Sequence, residues 1–291
     1  MNTSTRLGGI KILKDVVWIS LIQPKEDNRF TTAFANLMAN EKINLPFLTC
    51  GDQNHALGLN FVVDNQDAKK TSDLIEKKFG KTNLTATKGA VLSIFPHRSK
   101  PEIVGALLDA LGKLGDQPIA FANSPSAISA ILSERVISEA TNALFDPFEF
   151  GPYRTPEDWK LAQKGKEKLY KEVVASYQEK KPKVYGLEWQ DGQVLIHVKL
   201  DSGHVSTMGT ALKDFAKFGL VLTFFISRPS KEKNKGNLFF CLPEPDKTNY
   251  IGMVQKLLPE ASTVEDSSVA SFSMNGPHFG DRYGIISELL N

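Results

Sequence analysis

The same order of predicted secondary structure recurs along the chain at a regular spacing. Apolar, strand-like runs start at Val16, Val91, Val194 and Val269, and the interval from the first to the second equals the interval from the third to the fourth. Self-similarity at a fixed period indicates a repeated structural unit. The sequence therefore predicts a duplicated pair of units rather than four unrelated domains.

Each full unit reads as strand, helix, strand, strand and helix, with a closing strand where the sequence provides one. In the first unit the predicted strands are 16–22, 45–49, 57–63 and 84–87, and the helical faces lie within 30–38 and 68–79. In the second unit the strands are 91–95, 119–122 and 127–132, and the helices are 103–111 and 137–144. In the third unit the strands are 194–200, 221–226 and 237–242, and the helices are 205–215 and 250–257.

The ends of the two halves extend this comparison. The leading segment 7–13 reappears as 185–191, at the offset that separates Val16 from Val194, with Gly8 matched by Gly186. The fourth copy has only a strand, a loop and the start of a helix, Tyr283–Leu290. An isolated strand and half a helix cannot bury an apolar face. We therefore expect either a truncated sequence or completion by strands of another chain, and we favour truncation.

Residues 151–183 join the two halves and are predicted to form a helix. Thr155 is a typical N-cap, Pro156 suits the first turn, and two acidic residues follow at the positive end of the helix dipole. Trp159 and later apolar residues form one side, so we expect the helix to dock and to run to about Lys180. Its lysines alternate with acidic residues, which favours a solvated face over a membrane-binding or calmodulin-binding one.

Composition excludes several classes of protein. The chain has 291 residues with 35 Lys and Arg against 33 Asp and Glu, a balance that predicts neither a nucleic-acid partner nor an anionic membrane partner. Its longest apolar runs are far shorter than the roughly 20 residues of a membrane-spanning helix. Two cysteines within or beside apolar runs and no secretory signal indicate a cytoplasmic protein.

The repeated βαββαβ unit resembles the ferredoxin-like plan, and two stretches resemble ACT domains, which are small amino-acid-sensing modules. The stretch 275–285 is similar to the loop between the first strand and first helix of an ACT domain, with Asp281 and Arg282 at the acid and Arg positions. The stretches 34–45 and 119–129, followed by Phe148–Phe150, resemble the tandem ACT regulatory region of aspartokinases.

This resemblance implies an α+β fold of repeated ferredoxin-like βαββαβ (ACT) modules in two tandem pairs joined by a helix. In aspartokinases the first module is inserted into the second, which a preceding strand completes. We therefore expect a tandem pair at 7–150, with a first module at about 14–88 inserted into a second formed by 7–13 and 89–150. The helical linker is then 151–183, and 184–291 holds a third module at about 192–266 and an incomplete fourth at about 267–291.

No catalytic motif is present in the sequence. The aspartokinase catalytic region begins with Lys-Phe-Gly-Gly, and the only similar stretch, Lys78 to Lys81, ends an amphipathic helix and lacks a glycine-rich loop after it. Gly-x-Ser-x-Gly is absent, and Gly203 and Gly209 do not form a phosphate-binding loop. We predict no catalytic residues and no cofactor, and the sequence leaves open whether the whole protein is an enzyme.

The resemblance also implies where a ligand binds, since ACT ligands lie where the first-strand-to-helix loop of one module meets a neighbouring module. Free backbone N–H groups at a helix start suit the carboxylate of an amino acid. Pro46 stands near the acidic position that receives effector side chains in aspartokinases, which argues against lysine. The candidate ligand-binding residues are Gln23, Asp27, Asn28, Arg29, Phe30, Asn44, Leu45, His97, Arg98, Ser99, Ser202, His204, Asp281 and Arg282.

Three histidines, His97, His204 and His278, fall in these loops. A metal site assembled across modules is therefore an alternative. Because no second His or Cys lies near any of them in the sequence, we favour polar loop residues and predict no metal ligands.

The function implied by the resemblance is that of a non-catalytic regulatory protein that senses a small amino acid. Its expected partners are that effector, a second copy bound through ACT modules to give a homodimer, and a metabolic enzyme. The alternatives are a fragment of an aspartokinase-like enzyme whose catalytic part is missing, a metal-responsive protein, and a structural adaptor.

Overall fold

A computed structural model describes residues 4–24, 29–53, 56–80, 82–164, 183–201, 205–230, 232, 235–244, 250–259, 261, 263–276 and 279–291. The strands are β1 Thr5–Leu7, β2 Gly9–Pro24, β3 Phe47–Gln53, β4 Ala56–Asp64, β5 Asn83–Phe95, β6 Ala120–Asn123, β7 Ile128–Leu132, β8 Phe148–Phe150, β9 Gly186–Asp201, β10 Phe224–Arg228, β11 Lys235–Pro243 and β12 Thr263–Asn275. The α-helices are α1 Phe30–Asn40, α2 Ala68–Phe79, α3 Pro101–Leu111, α4 Ile137–Leu144, α5 Pro156–Gln163, α6 Val205–Lys217, α7 Tyr250–Leu257 and α8 Ile285–Leu290.

Ten of the described strands form one curled antiparallel sheet. Their order is β12-β9-β11-β10-β6-β7-β5-β2-β4-β3, and β1 pairs in parallel with β8 apart from this sheet. Three groups of four strands, β12-β9-β11-β10, β2-β5-β7-β6 and β5-β2-β4-β3, each follow the fourth-first-third-second arrangement of a ferredoxin-like unit, and the last two groups share β2 and β5. The predicted fold class, repeated ferredoxin-like modules, is confirmed.

Four modules can be defined by their strands. The first module comprises β2 from Val16, α1, β3, β4, α2 and β5 to Gly89. The second comprises β5 from Ala90, α3, β6, β7 and α4, with Gly9–Leu13 of β2 beside its first strand. The third comprises β9 from Gln193, α6, β10, β11, α7 and β12 to Val269. The fourth half-module comprises Gly186–Gln190 of β9, Ser271–Asn275 of β12, a short 3-10 turn at Phe279–Asp281, and α8.

Two long strands connect the first and second modules. β2 pairs with β5 along both of their halves, from Gly9 opposite Phe95 to Ile22 opposite Asn83. The register shifts between Leu13 and Val16, where Asp15 has a φ of 58°, as expected at a β-bulge. The sequence predicts separate strands at 84–87 and 91–95. They form one strand because the last strand of one module continues directly as the first strand of the next.

The second half repeats this arrangement. Leu187 of β9 lies opposite Met274 of β12, and the register shifts between Val269 and Ser271 as it does in the first half. The segment around Gly186 therefore occupies the position that Gly9–Leu13 has in the first half. The spacing between Val16 and Val194 in the sequence is thus accompanied by the same pattern of strand pairing in both halves.

The second and third modules pack side by side through helices and strand edges. A Cβ atom on Gly105 of α3 would lie 2.5 Å from the carbonyl oxygen of Gly209 on α6, so the two helix backbones touch. Asp109 accepts hydrogen bonds from Ser206 (2.8 Å) and Lys213 (2.6 Å) across this contact. Beneath the helices, β6 pairs with β10.

Apolar clusters hold the modules together. The largest lies under the helices of the second and third modules and includes Leu107 and Phe215, and a second fills the first module around Phe34 and Phe61. A third cluster, which includes Val62 and Val91, lies on the face of the sheet away from those helices. In the same region a hydrogen bond of 2.8 Å, from the Thr49 hydroxyl on β3 to the carbonyl of Ser227 on β10, joins the first module to the third.

The helix after the first pair begins as predicted. The Thr155 side chain accepts from the N–H of Asp158, and the Asp158 carboxylate accepts from the N–H of Thr155, forming a capping box. Trp159 is buried in the large cluster, and Lys160 donates to Asn142 of α4 at 2.9 Å. The described helix ends at Gln163, and most of the predicted continuation to Lys180 lies outside the described residues.

Across the part of the chain that the structure describes, none of the helices combines the length and apolar character needed to span a membrane.

Candidate functional site

The junction between the first module and the fourth half-module brings together candidate residues that are far apart in sequence. Asn44 donates from Nδ2 to the carbonyl of Gly280 at 3.0 Å, across a separation of 236 residues. Asp281, next to Gly280, lies 3.4 Å from Nζ of Lys11. The start of β3 is thus held against the loop that leads into α8. The loop between the first strand and helix of the fourth half-module therefore contacts the start of a strand in the first module.

Helix packing holds this junction in place. The Asn36 side chain on α1 accepts hydrogen bonds from the Ser287 hydroxyl and, at 2.9 Å, from Nδ2 of Asn291 at the end of α8. Gly284 is the N-cap of α8 and has a φ of 87°, in the left-handed region that favours glycine; a Cβ atom on it would lie 3.9 Å from Cβ of Ala39 on α1. The turn at Gly284 therefore lets α8 lie along α1.

A cavity of about 450 Å³ lies within this junction. Two of the candidate residues, Leu45 and Arg282, line it, whereas Asn44 and Asp281 flank it. Most of its wall is apolar, with contributions from α1, β3, β12 and α8, and Ser124 of the second module also lines it. Its lining includes Met38, Ile43, Pro46, Phe47, Phe272 and Ile285. A cavity with a largely apolar wall and few polar groups is typical of a small-molecule site.

The candidate residues of the first module's own loop lie apart from this cavity. Gln23 is at the end of β2, and its Oε1 is buried without a hydrogen-bond partner. Arg29 is at the N-cap position of α1, and the ring of Phe30 packs on that of Phe79 with their centroids 4.5 Å apart. Phe30 is therefore part of the module core. Asp27 and Asn28 lie outside the described residues.

The equivalent loop of the second module is closed by its own hydrogen bonds. His97 is buried, its Nδ1 accepts from the N–H of Ser99 at 3.1 Å, and its Nε2 lies 2.5 Å from the carbonyl of Ser124. The imidazole is thus neutral with the proton on Nε2. The carbonyl of Ser99 accepts from the N–H of Leu222 in the third module at 2.8 Å. Arg98 is exposed, and both it and Ser99 have a φ of 54°.

Burial lowers the pKa of His97 below its usual value of 6.5, although the hydrogen bond to Ser124 acts in the opposite direction. A neutral imidazole bonded at both nitrogens positions a loop and leaves no side-chain group for a ligand. The loop of the third module, with Ser202 and His204, lies outside the described residues, as does His278. Among the residues that are described, no cluster of three His, Cys, Asp or Glu side chains suits a metal ion.

Sequence reasoning missed most of the cavity wall. Met38, Phe272 and Ile285 appear in the sequence only as apolar residues of an amphipathic helix or a strand, and nothing local shows that three modules meet there. The resemblance to ACT domains identified Leu45 and Arg282 as candidates because they lie at positions where ACT modules contact a neighbour. The resemblance could not predict the packing of α8 on α1, since that packing depends on how the two halves dock.

Comparisons with known proteins find the fold but no close relative. No protein-family model matches the chain, and no curated protein matches it. Among solved structures, aspartate kinase from Synechocystis matches 97% of this chain with a TM-score of 0.74 at 13% identity. The regulatory subunit of aspartate kinase from Thermus thermophilus matches 49% of this chain and 99% of its own length, with a TM-score of 0.45 at 20% identity.

This chain spans about half the length, 48%, of the Synechocystis aspartate kinase. At such low identity the likeness concerns the fold. The strand order of each module and the match over nearly the whole chain agree with what the sequence predicts. The fold is that of repeated ferredoxin-like modules, and it is similar to the matched half of the Synechocystis aspartate kinase.

Proposed function

We propose that the chain is a non-catalytic regulatory protein that binds a small amino acid in the cavity between the first module and the fourth half-module. One observation carries this proposal: Leu45 and Arg282, chosen as ligand-binding residues from separate stretches of sequence, line the same cavity. In the resembled family this type of fold is associated with a regulatory role, and a cavity lined by both residues supports an effector site at this junction.

The cavity wall favours a particular class of amino acid. Arg282 lines it, and a guanidinium group suits a carboxylate such as the ligand's. The apolar residues from α1, β3 and β12 suit an aliphatic or other apolar side chain and disfavour a charged one. Asn44 acts as a positioning residue, because its hydrogen bond to Gly280 fixes the loop that carries Arg282.

Regulation follows from the position of the cavity. A ligand there contacts elements of the first half and of the second half, so it favours the arrangement in which α1 and α8 are packed together. The free energy by which the ligand shifts a coupled process is limited to the difference between its binding free energies for the two arrangements. We propose a metabolic enzyme, or a second copy of the chain, as the partner that responds to this shift.

The first experiment is a thermal-shift screen of the purified protein against the twenty amino acids, followed by calorimetric titration of any that binds. A ligand present at 100 times its dissociation constant should add about 2.7 kcal/mol of stability. Replacing Arg282 with Ala should weaken binding at least about tenfold, since a charged hydrogen bond to the carboxylate is lost. No stabilisation by any amino acid would overturn the proposal.

Two further variants locate the site. Arg98→Ala removes an exposed arginine from the second module's loop, and loss of binding there would move the site to the junction with the third module. Arg135→Ala removes an arginine that bonds Asp116 away from both junctions, and its binding should match the wild type.

A second candidate is the regulatory part of an aspartokinase-like enzyme, favoured by the match of this chain to about half of an aspartate kinase. The test is an assay of the purified chain for ATP-dependent phosphorylation of aspartate. Activity in the chain alone would overturn the non-catalytic proposal. Stimulation or inhibition of a separately supplied aspartate kinase domain by the chain would support this second candidate.

We place the protein in the cytoplasm as part of this proposal. Cys50 and Cys241 are both thiols, and burial raises the pKa of the Cys241 thiol to about 11. A buried, protonated thiol has little reactivity. Reduced cysteines suit a reducing compartment, and fractionation of the source cells would test the placement.

A further inference from the structure

Strand β10 of the third module is bonded to both modules of the first half. The carbonyl of Ser227 accepts from the Thr49 hydroxyl on β3 at 2.8 Å and from Nδ2 of Asn60 on β4 at 3.4 Å. The hydroxyl of Ser227 accepts from the N–H of Phe121 on β6 at 2.7 Å. We call Ser227, Thr49, Asn60 and Phe121 the Ser227 network. One residue of the second half therefore bonds the first and the second module at once.

The Ser227 network is buried, which makes its geometry strict. Thr49, Asn60 and Ser227 are all removed from water. Oδ1 of Asn60 accepts from Nε1 of Trp18 at 3.2 Å, and this bond orients the amide so that Nδ2 points to Ser227. A displacement of β10 from β3 or β6 would leave buried polar groups unpaired, which is costly. The network therefore favours one arrangement of the three modules over intermediate ones.

The same strand is linked to the wall of the cavity. The N–H of Phe225 on β10 donates to Oδ1 of Asn123 at 2.7 Å, and Asn123 lines the cavity. Leu48 of β3 also lines the cavity and precedes Thr49 in the chain. Neither Thr49 nor any residue of β10 is among the described residues that line the cavity. β10 therefore contacts the cavity wall from behind, through β3 and through the end of β6.

We propose that β10 couples the cavity to the junction of the second and third modules, so that an amino acid in the cavity stabilises the packing of the third module on the second. This inference rests on the proposed function, because the bound amino acid is its effector. A ligand that contacts Leu48 and Asn123 favours the positions of β3 and β6 in which the bonds to β10 are complete.

The effect extends to the helices of that junction. β10 pairs with β6 beneath the close contact of α3 with α6, with Ile226 opposite Ala122. Stabilising this strand pair therefore stabilises the helix contact above it. By linkage, a substitution that loosens the junction must weaken binding in the cavity by the same factor by which binding stabilises the junction.

The first part of the experiment measures affinity. The probes are L-leucine, L-isoleucine, L-valine and L-methionine, the aliphatic amino acids that the cavity wall favours, titrated calorimetrically into the full chain. Ser227→Ala removes the acceptor for the N–H of Phe121 without altering the cavity wall. The dissociation constant should rise at least about fivefold, which is the lower end of the usual allosteric range.

The matched control is Ser129→Ala. The Ser129 hydroxyl is bonded to that of Ser93 at 2.7 Å, so this substitution also removes a serine hydrogen bond, but within the second module. Its affinity for the same amino acids should equal that of the wild type. An equal loss of affinity in Ser129→Ala and Ser227→Ala would show a general loss of stability and would overturn the coupling.

The second part of the experiment needs no amino acid. Asn36→Ala removes the acceptor for Ser287 and Asn291 and so loosens α8 from α1. Hydrogen–deuterium exchange at the amides of Phe121 and Phe225, which donate across modules, should become at least about fivefold faster. Exchange along Leu238–Leu242, which pairs with β9 inside the third module, should not change.

The two parts separate this inference from the proposed function. If no amino acid binds the wild type, the proposed function fails and the exchange measurement alone decides the coupling. Equal affinity of the wild type and Ser227→Ala, or unchanged exchange at Phe121 and Phe225 in Asn36→Ala, would overturn the coupling.

A second pair of variants is used if Ser227→Ala fails to fold by circular dichroism. Thr49→Val removes the donor to the Ser227 carbonyl with little change in shape, and it should raise the dissociation constant in the same way. Its control is Thr141→Val, which removes a buried hydroxyl bonded to the carbonyl of Ile137 within α4 at 2.7 Å. Equal affinities of these two variants would overturn the coupling.

Discussion

Gly105 and Gly209 allow α3 and α6 to pack backbone against backbone. A methyl group on Gly105 would lie 2.5 Å from a carbonyl oxygen and 2.9 Å from the N–H nitrogen of Lys213, and backbone atoms cannot rotate away as a side chain can. Gly105→Ala should therefore destabilise the protein by about 1–3 kcal/mol despite the better helix propensity of alanine. Urea unfolding measures this difference.

The matched control is Gly115→Ala, because no atom lies within 4 Å of the position that its Cβ would take. Its free energy of unfolding should stay within about 0.5 kcal/mol of the wild type. Equal effects of the two substitutions would contradict a close helix contact at Gly105.

His97 makes stability depend on pH. Its pKa is lowered in the folded protein, so the unfolded state binds the extra proton more readily. The contribution of His97 is fully present above its unfolded pKa of 6.5 and is lost as the pH falls below that value towards the folded pKa. One titrating group can change the free energy of unfolding by at most about 1.4 kcal/mol per pH unit.

Urea unfolding between pH 8 and pH 5 tests this. His97→Asn keeps an acceptor for the N–H of Ser99 but cannot titrate, so its stability should fall less steeply over this range than that of the wild type. Parallel curves for the two proteins would show that His97 does not cause the dependence.

At the scale of elements, the capping box of α5 predicts a local effect. Thr155→Ala removes the acceptor for the N–H of Asp158, which should cost about 1 kcal/mol. Because α5 lies at the end of the first pair, faster hydrogen exchange should be confined to α5 and the contacts of Trp159. The substitution Ser138→Ala, which removes only a lysine contact to α4, should leave exchange in α5 nearly unchanged.

Element types were predictable wherever the pattern of apolar residues reports burial. The helices at 68–79 and 103–111 follow their apolar faces, since each buries one side on its own module. The strand predicted at 221–226 begins only at Phe224, because the N–H of Leu222 is bonded to Ser99 of another module. Strand limits set by a neighbouring module cannot be read from local sequence.

At the scale of the whole molecule, each half pairs with the other. The second module packs on the third and the first module on the fourth half-module, so one chain contains contacts that two copies of a tandem pair would otherwise make. A fragment of residues 1–164 should therefore expose α3 and the edge of β6 and should dimerise through them. Sedimentation of the fragment and of the full chain at equal concentrations measures this.

The same fragment with Gly105→Ala should form weaker dimers, because the close helix contact is then blocked. If the 1–164 fragment stays monomeric at all concentrations, the idea that the second half of the chain covers an otherwise dimerising face at α3 is wrong. The repeat allowed the fold class, repeated ferredoxin-like modules, to be predicted from sequence. The docking of the halves was not predictable, because another chain would bury the same apolar faces equally well.

The strand pairing that links the first and second modules also sets the order of events during synthesis. Gly9–Leu13 leave the ribosome before the other described parts of the sheet, yet they pair with the first strand of the second module, near Phe95. Likewise, β1 can pair with β8 only after Phe148–Phe150 has been synthesised. The first module is complete in the nascent chain by Gly89, whereas Gly9–Leu13 gain their partner strand only at Phe95 and β1 gains β8 only at Phe150. Contacts of such long sequence separation slow folding, so we expect the first module to form before Gly9–Leu13 and β1 pair with their partner strands.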